Sequence, residues 1–280
     1  MFREVREGLF LQPSLLYQTQ SVVLSDTRSV TVIDPGYFPG EIALARALTD
    51  ELWSVRGGEH LLALTHSDFD HIVGVPCFED FRCATSARWD AANERRARLA
   101  LRRFDGEHYI ERRFPLERPV RRDLLIAADG ERLGASLCFL VSGHTRDGLA
   151  LFHAPSRALV VGDYLSDCEF PFIAAGADAY RASLDRLARL VSELRPELLV
   201  SQHGRPALGG RAMAERFGEA TRYLDRLQEA AAGGGGVQRV AHVTRDAWRG
   251  AIPPYLWRQH CENARQALRG ALQNTSTTLP

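Results

Sequence analysis

Short apolar runs rich in β-branched residues alternate along the chain with longer segments whose apolar residues recur every three or four positions. The runs at 14–26 and 29–36 flank a polar turn and predict two antiparallel strands, and a third, buried strand is predicted at 60–66. Helices are predicted from Pro39 to about Leu52 and from about Ser86 to Leu101. An irregular, arginine-rich segment follows, to Arg122.

The second half repeats this arrangement. Strands are predicted on either side of a turn at Asp129 and Gly130, and the run 149–163 predicts a hairpin that turns at 155–156. A helix is predicted after an N-cap at Asp178, then a strand at 197–204 and two further helices, joined by a glycine-rich connector at 231–238. Two β-rich halves that each carry helices predict an α+β fold, a four-layer αββα sandwich with helices outside two central sheets.

Composition narrows the functional class. The chain has 280 residues, 45% of them hydrophobic, which is enough for a substantial core. All 35 basic residues are arginine and 35 residues are acidic, so a net charge of zero favours neither nucleic acid nor membrane as a partner. The five cysteines are scattered without a CxxC pair, which argues against a disulfide framework or a thiolate zinc site. With no apolar leader and no run long enough to span a bilayer, we expect a cytoplasmic protein.

Polar side chains with metal-binding chemistry stand immediately after the predicted strands. They are His66, Asp68, Asp70, His71, His144, Asp163 and His203. Strand ends can converge from distant positions, and imidazole with carboxylate suits divalent transition metals. Any one of these histidines alone could be a hydrogen-bonded structural residue, but a buried carboxylate cluster without a cation would be strongly destabilising. Seven donors can serve two ions and leave open positions for water, which is typical of a catalytic site.

The motifs around these residues resemble those of the metallo-β-lactamase superfamily. The stretch "THSDFDH" is similar to its H-x-H-x-D-H signature, with Asp68 in place of the second histidine, and "SGHTRDG", "VVGD" and "SQHG" are similar to its later motifs. The resemblance spans about residues 14–204. It implies a single metallo-β-lactamase-like domain over 1–280, with a variable arginine-rich insertion at about 95–122 and C-terminal helices from about 211–273.

The resemblance also implies a role for each position. His66 and His144 would bind a first metal, with Asp68 in the third place. Asp70, His71 and His203 would bind a second metal, and Asp163 would bridge the two. Asp34, in "VIDPG", would support the metal loop from behind, or else be a plain turn former. We expect two divalent metal ions, zinc first, with iron or manganese as alternatives because the Asp68 carboxylate is a harder ligand than imidazole.

The activity implied is hydrolysis of an ester, lactone, thioester or phosphodiester by a metal-bound hydroxide, which Asp70 could orient or deprotonate. Three aspartates and four histidines carry a formal charge of −3, against −2 for the usual set. The flavodiiron branch of the superfamily has a glutamate at the second position and uses iron, so an iron-dependent oxidoreductase is the alternative. A metal-stabilised binding protein is a third hypothesis.

The arginine-rich segment bears on the substrate. It holds ten arginines against four acidic residues at 95–122. It could be a lid whose guanidinium groups, Arg112 and Arg113 among them, grip an anionic small molecule, or a solvated surface. Tyr109 and His108 are its side chains most able to reach a substrate.

Overall fold

Two mixed β-sheets lie at the centre of the fold in the computed structural model, which describes residues 1–116 and 118–276. The first sheet has seven strands in chain order, β1 (Arg3–Arg6), β2 (Leu9–Pro13), β3 (Gln20–Ser25), β4 (Ser29–Ile33), β5 (Glu59–Ala63), β6 (Arg82–Ser86) and β7 (Leu124–Ile126). The second contains β8 (Glu131–Leu133), β9 (Ser136–Leu140), β10 (Leu149–His153), β11 (Ala158–Val160), β12 (Leu198–Val200) and β13 (Ala207–Leu208), in the order β13-β12-β11-β10-β9-β8.

The helices in the described residues are α1 (Pro39–Arg56), α2 (Phe69–Ile72), α3 (Ala91–Glu107), α4 (Ala177–Leu194), α5 (Gly209–Ala232), α6 (Val237–Val243) and α7 (Trp257–Ser276). Two short 3₁₀ turns lie at Val75–Phe78 and Pro254–Leu256. None of these helices is long and apolar enough to cross a lipid bilayer.

Alternate residues of the central strands enter different cores, which creates the four layers. In β5, Leu61 and Ala63 join the core between the sheets, whereas Leu62 packs against α1 and its neighbours. In β9, Cys138 faces the same central core and Phe139 packs under α4, α5 and α7. Because strand side chains alternate between faces, an uninterrupted apolar run is buried on both sides. The predicted αββα sandwich is confirmed.

Strand direction brings the candidate residues to one edge. Strands β4, β5 and β6 are parallel, so the loops after Ile33 and Ala63 begin at the same edge of the first sheet. In the second sheet β11 and β12 are parallel, and β9 has the same direction because both β9 and β11 are antiparallel to β10. Hydrogen bonds from Leu149 N to Thr65 O (2.7 Å) and from Gln20 N to Gln202 O (2.6 Å) join the two sheets at this edge.

Several predicted boundaries were wrong. The strand predicted from residue 14 begins at Gln20, and β1 and β2 precede it. The helix predicted at 86–101 is α3, which begins at Ala91 and continues into the arginine-rich segment, while 82–86 form a strand. Helix α4 begins at Ala177, so its N-cap is Gly176 and not Asp178. Gly176 adopts φ 106°, a conformation that residues with a side chain rarely take. Asp178 instead lies in the first turn, where a carboxylate favours the helix dipole.

Candidate metal centre

The loop after β5 carries four of the predicted residues. Thr65 and His66 follow the strand directly, and Asp68 is the extended residue (φ −72°, ψ 156°) that precedes the short helix α2. Asp70 and His71 lie in the single turn of α2, where the amide of His71 donates to the Asp68 carbonyl (3.2 Å). Because the turn is tight, the side chains of His66 and Asp68 before it and of Asp70 and His71 within it lie close together.

The second sheet contributes His144 through a close backbone packing. The Tyr164 hydroxyl accepts hydrogen bonds from the amides of Gly143 (2.6 Å) and His144 (2.7 Å). A Cβ at Gly143 would lie 2.3 Å from the Tyr180 Cα, so only glycine fits where this loop meets α4. Asp163 similarly follows Gly162, which has φ 61° at the turn out of β11. His203 follows β12, so all three loops start from parallel strand ends.

Each of the four histidines is held at Nδ1. The partners are Thr65 Oγ1 for His66 (3.0 Å), Asp34 Oδ2 for His71 (2.9 Å), the Phe172 carbonyl for His144 (3.0 Å) and the Tyr17 carbonyl for His203 (3.0 Å). A carbonyl can only accept, so Nδ1 of His144 and His203 carries the proton and Nε2 is available as a ligand. Within the described part of the chain, the buried Nε2 atoms of His66, His71 and His144 have no hydrogen-bond partner.

One group of donor atoms gathers around Asp163 Oδ2. His66 Nε2 lies 3.4 Å from it and His144 Nε2 lies 3.3 Å from it. Asp68 Oδ2 is 3.6 Å from the same His66 nitrogen and 3.4 Å from that of His144. Donors bound to one ion at about 2.1 Å lie about 3.0–3.5 Å apart for octahedral to tetrahedral angles. The donor atoms of His66, His144 and Asp163 all lie within 4.8 Å of one another and suit one metal ion, and Asp68 lies beside the two imidazoles.

A second group lies on the other side of the same carboxylate. Asp163 Oδ1 is 3.4 Å from His71 Nε2, and its Oδ2 is 3.2 Å from His203 Nε2. Asp70 places Oδ1 3.6 Å from His71 Nε2 and Oδ2 3.4 Å from His203 Nε2. The structure thus brings all seven predicted residues together, with the Asp163 carboxylate between two sets of donors.

Charge in this cluster is strongly coupled. Burial and the neighbouring His71 lower the pKa of His66, but the Asp163 and Asp68 carboxylates together outweigh them and raise this pKa to about 10. Burial would raise the pKa of Asp163, yet the imidazoles of His203, His71 and His66 hold it well below its usual range. Burial raises the pKa of Glu169 to about 7. The carboxylates therefore require positive charge, from protons or from metal ions.

Asp34 lies directly behind the cluster. Its carboxylate accepts from the Thr65 amide (2.9 Å) and hydroxyl (2.6 Å), from Gln202 Nε2 (2.6 Å) and from the His71 ring (2.9 Å). Asp34 is buried and has φ 48°, a left-handed conformation that aspartate and asparagine tolerate better than most residues. Its contacts connect the metal loop to the second sheet.

Sequence reasoning missed several residues that contact the cluster. Asn93 on α3 donates to Asp68 Oδ1 (2.6 Å), and Thr19 donates to Asp70 Oδ2 (3.3 Å). Glu169 places Oε1 3.5 Å from His203 Nε2. Asn93 lies within a helix, and neither Thr19 nor Glu169 directly follows a strand, so the strand-end pattern gave no signal for them.

The arginine-rich segment has one of the two arginines named for a lid, Arg112, in a buried ion pair, and the other, Arg113, exposed. Tyr109 is 93% exposed, so its side chain has almost no protein contact, the cluster included. His108 stacks on Phe104 with ring centroids 4.0 Å apart. Arg112 is 3% exposed and is committed to the Asp105 carboxylate (2.6 Å and 2.8 Å). A buried guanidinium that is already paired cannot grip an anionic substrate.

Comparison with known proteins agrees with this architecture. The family model of the metallo-beta-lactamase superfamily matches residues 15–203. No curated protein matches the sequence significantly.

Solved structures share the fold at low sequence identity. A metallo-beta-lactamase family protein from Thermus thermophilus, TTHA1429, is 18% identical with a TM-score of 0.65, covering 97% of this chain and 95% of its own. A beta-lactamase domain protein from Burkholderia ambifaria is 16% identical with a TM-score of 0.65, and the match covers 100% of this chain and 89% of the other. TTHA1623, crystallised in a di-iron-bound form, is 24% identical with a TM-score of 0.54, and the match covers 71% of this chain and 94% of the other. The family match extends over more than half of the chain, which therefore belongs to the metallo-beta-lactamase superfamily.

Proposed function

We propose that this protein is a dinuclear metal-dependent hydrolase that acts on a small-molecule ester, lactone, thioester or phosphodiester. The observation that carries the proposal is the convergence of seven imidazole and carboxylate groups from both sheets, at spacings that suit metal coordination. Buried imidazole nitrogens without hydrogen-bond partners in the described residues support it, because such atoms are costly unless a ligand satisfies them.

Two ions would be held by residues of both sheets. The first would have His66, His144 and Asp68 as ligands, the second would have Asp70, His71 and His203, and Asp163 would bridge them. Zinc remains the first expectation, with iron or manganese as alternatives. Bound there, the ions would supply a hydroxide at neutral pH and polarise the scissile carbonyl or phosphoryl group.

The surrounding residues would fix this geometry. The Phe172 and Tyr17 carbonyls orient the imidazoles of His144 and His203, and Asp34 orients that of His71. Asp70 is the candidate proton acceptor, because its carboxylate lies beside both His71 and His203 and, among the described residues, accepts a single hydrogen bond, from the Thr19 hydroxyl.

An iron-dependent oxidoreductase is the second candidate. It is favoured by Asp68, whose Oδ2 lies 3.4 Å from His144 Nε2 where the superfamily signature has a histidine. A carboxylate shifts metal preference toward harder ions such as iron and manganese. The di-iron form of TTHA1623 indicates that this fold can accommodate two iron ions.

The test compares Asp163→Ala with Asp185→Ala, an exposed aspartate on α4. We expect Asp163→Ala to lose bound metal and hydrolysis of ester and phosphodiester substrates, since it removes a ligand from each ion. The control, Asp185→Ala, should match the unmodified protein in metal content and in rate of hydrolysis. If Asp163→Ala kept two metals per chain and normal turnover, the dinuclear proposal would be wrong. A metal-dependent reaction with oxygen, without hydrolysis, would favour the second candidate.

A further inference from the structure

Glu169 adds a carboxylate that the superfamily motifs in this sequence do not include. It lies in the loop that leads from Asp163 to α4, and its side chain is 12% exposed. Its Oε1 is 3.5 Å from His203 Nε2, and the donor atoms of Asp163, Glu169 and His203 lie within 4.8 Å of one another. The 3.5 Å separation is within the range for two ligands of one ion, as it is for the other pairs in the cluster.

The charge of Glu169 lacks a permanent partner. Among the residues that the structure describes, nothing donates a hydrogen bond to this carboxylate, and His203 is its one ion-pair partner. Asp167, two residues earlier, is different, because it pairs with Arg205 (3.1 Å) and Arg216 (3.2 Å). The two arginines near this loop therefore pair with Asp167 and not with Glu169.

Metal binding would remove the ion pair between Glu169 and His203, because His203 would no longer be protonated. A histidine that binds an ion through Nε2 is neutral, and the Nδ1 of His203 already bonds to the Tyr17 carbonyl (3.0 Å). Glu169 would then be a largely buried carboxylate near Asp163 and Asp70, without an ion pair to any other side chain that the structure describes. Such a charge is costly unless it is paired or binds a metal. A metal ion held beside His203 would supply the positive charge that this carboxylate then lacks.

We propose that Glu169 is an additional ligand of the second metal ion. This inference rests on the dinuclear centre proposed above. In this structure the donor atom of Glu169 lies within 4.8 Å of those of Asp163 and His203, while Asp70 and His71 form a separate group with His203. Glu169 would therefore move toward Asp70 and His71 on metal binding and complete a set of five protein donors, whereas the first ion would have four. Four carboxylates would then balance the +4 charge of two divalent ions. Five donors with three carboxylates suit a six-coordinate ion with hard-ligand preference, so the second site would favour manganese or iron over zinc.

The test uses Glu169→Gln, which keeps the shape and removes the charge, with Glu215→Gln as the control. Glu215 is 62% exposed on α5 and, within the described part of the chain, pairs only with Arg211 (3.0 Å). Each protein is stripped of metal, reloaded with manganese or zinc, and titrated with a competing chelator. We expect Glu169→Gln to bind the second manganese ion at least about tenfold more weakly, with a smaller change for zinc. The first ion should bind as before, and the control should match the unmodified protein.

A spectroscopic measurement separates a ligand from a residue that only contacts the substrate. With cobalt(II) in both sites, loss of a ligand lowers the coordination number and should intensify and shift the visible absorption of Glu169→Gln. Unchanged cobalt spectra and unchanged affinities, with an altered KM alone, would overturn the inference while leaving the dinuclear centre intact. An unmodified protein that binds no second ion would overturn both. Glu169→Asp, which is shorter but charged, should recover part of the manganese affinity.

Discussion

Asp34→Asn is the most informative change outside the proposed ligands. The Asp34 carboxylate is 1% exposed and accepts four hydrogen bonds, three of them at Oδ2. Asparagine tolerates the φ of 48° at this position, so the variant alters charge and hydrogen bonding with little change in backbone strain. The amide would keep its oxygen toward the three donors of Thr65, His71 and Gln202, and its NH₂ group would face the Thr65 amide.

The expected magnitude follows from these bonds. Changing a charged acceptor to a neutral one weakens each of the three retained bonds by about 1 kcal/mol. Leaving the buried Thr65 N–H without an acceptor costs about 1–3 kcal/mol more. We therefore expect the free energy of unfolding to fall by about 4–6 kcal/mol. His71 also becomes a weaker and less well oriented ligand, so affinity at the second metal site should fall by about 10–100-fold.

The assay combines urea unfolding with chelator competition for metal. Asp26→Asn is a matched control, because Asp26 is buried and pairs with His153 (3.3 Å), at the other end of β3 from the cluster. The control should lose stability but retain metal affinity. If Asp34→Asn bound the second ion as tightly as the unmodified protein, the proposed support of His71 by Asp34 would be refuted.

Other predictions concern single groups in and near the centre. Asp68→His should shift metal loading toward zinc, measured as metal content after competition between zinc, iron and manganese; identical ratios would mean that Asp68 is not a ligand. The pKa of His66 is raised from 6.5 to about 10, so in the metal-free protein this histidine contributes to folding stability. That contribution is fully present below pH 6.5 and is lost as the pH rises through about 10. Zinc binding at about pH 8 should therefore release protons, and calorimetry in two buffers of different ionisation enthalpy should give different heats; equal heats would contradict this. Arg112→Met should destabilise the protein by about 3–5 kcal/mol in urea unfolding, because the buried Asp105 loses its partner. It should not discriminate against anionic substrates, and a KM increase confined to anionic substrates would restore the lid hypothesis.

The sequence was most informative where burial is complete. Uninterrupted apolar runs such as that of β5 are typical of strands covered on both faces, and the polar residues at their ends are placed together by parallel strand direction. Strand β1 was missed because Arg3–Arg6 is largely exposed and charged, without an apolar pattern. Strand β6 (RCATS) is as long as β5 but lacks an apolar run, and its identity comes from parallel pairing with β5 and β7, which no local pattern records.

The finer environment of the site depended on contacts between distant segments. Asn93 reaches Asp68 from a helix 25 residues later, and Glu169 reaches His203 from a loop. Gln202 reaches Asp34 from the other sheet, 168 residues away in sequence. Motif spacing identified the residues that follow strands, and Asp34 among the groups that orient them, whereas Asn93, Gln202 and Glu169 are brought to the site only by tertiary packing.

The most direct test of a dinuclear centre is the metal stoichiometry of the intact protein. The chain would be purified without added metal, reloaded with an excess of zinc, manganese or iron, freed of unbound ions, and assayed for metal per chain by elemental analysis. We predict two ions per chain, and one or none in Asp163→Ala prepared identically. A protein that retains no more than one ion with each of the three metals, or as many ions in Asp163→Ala as in the unmodified chain, would contradict the proposed centre.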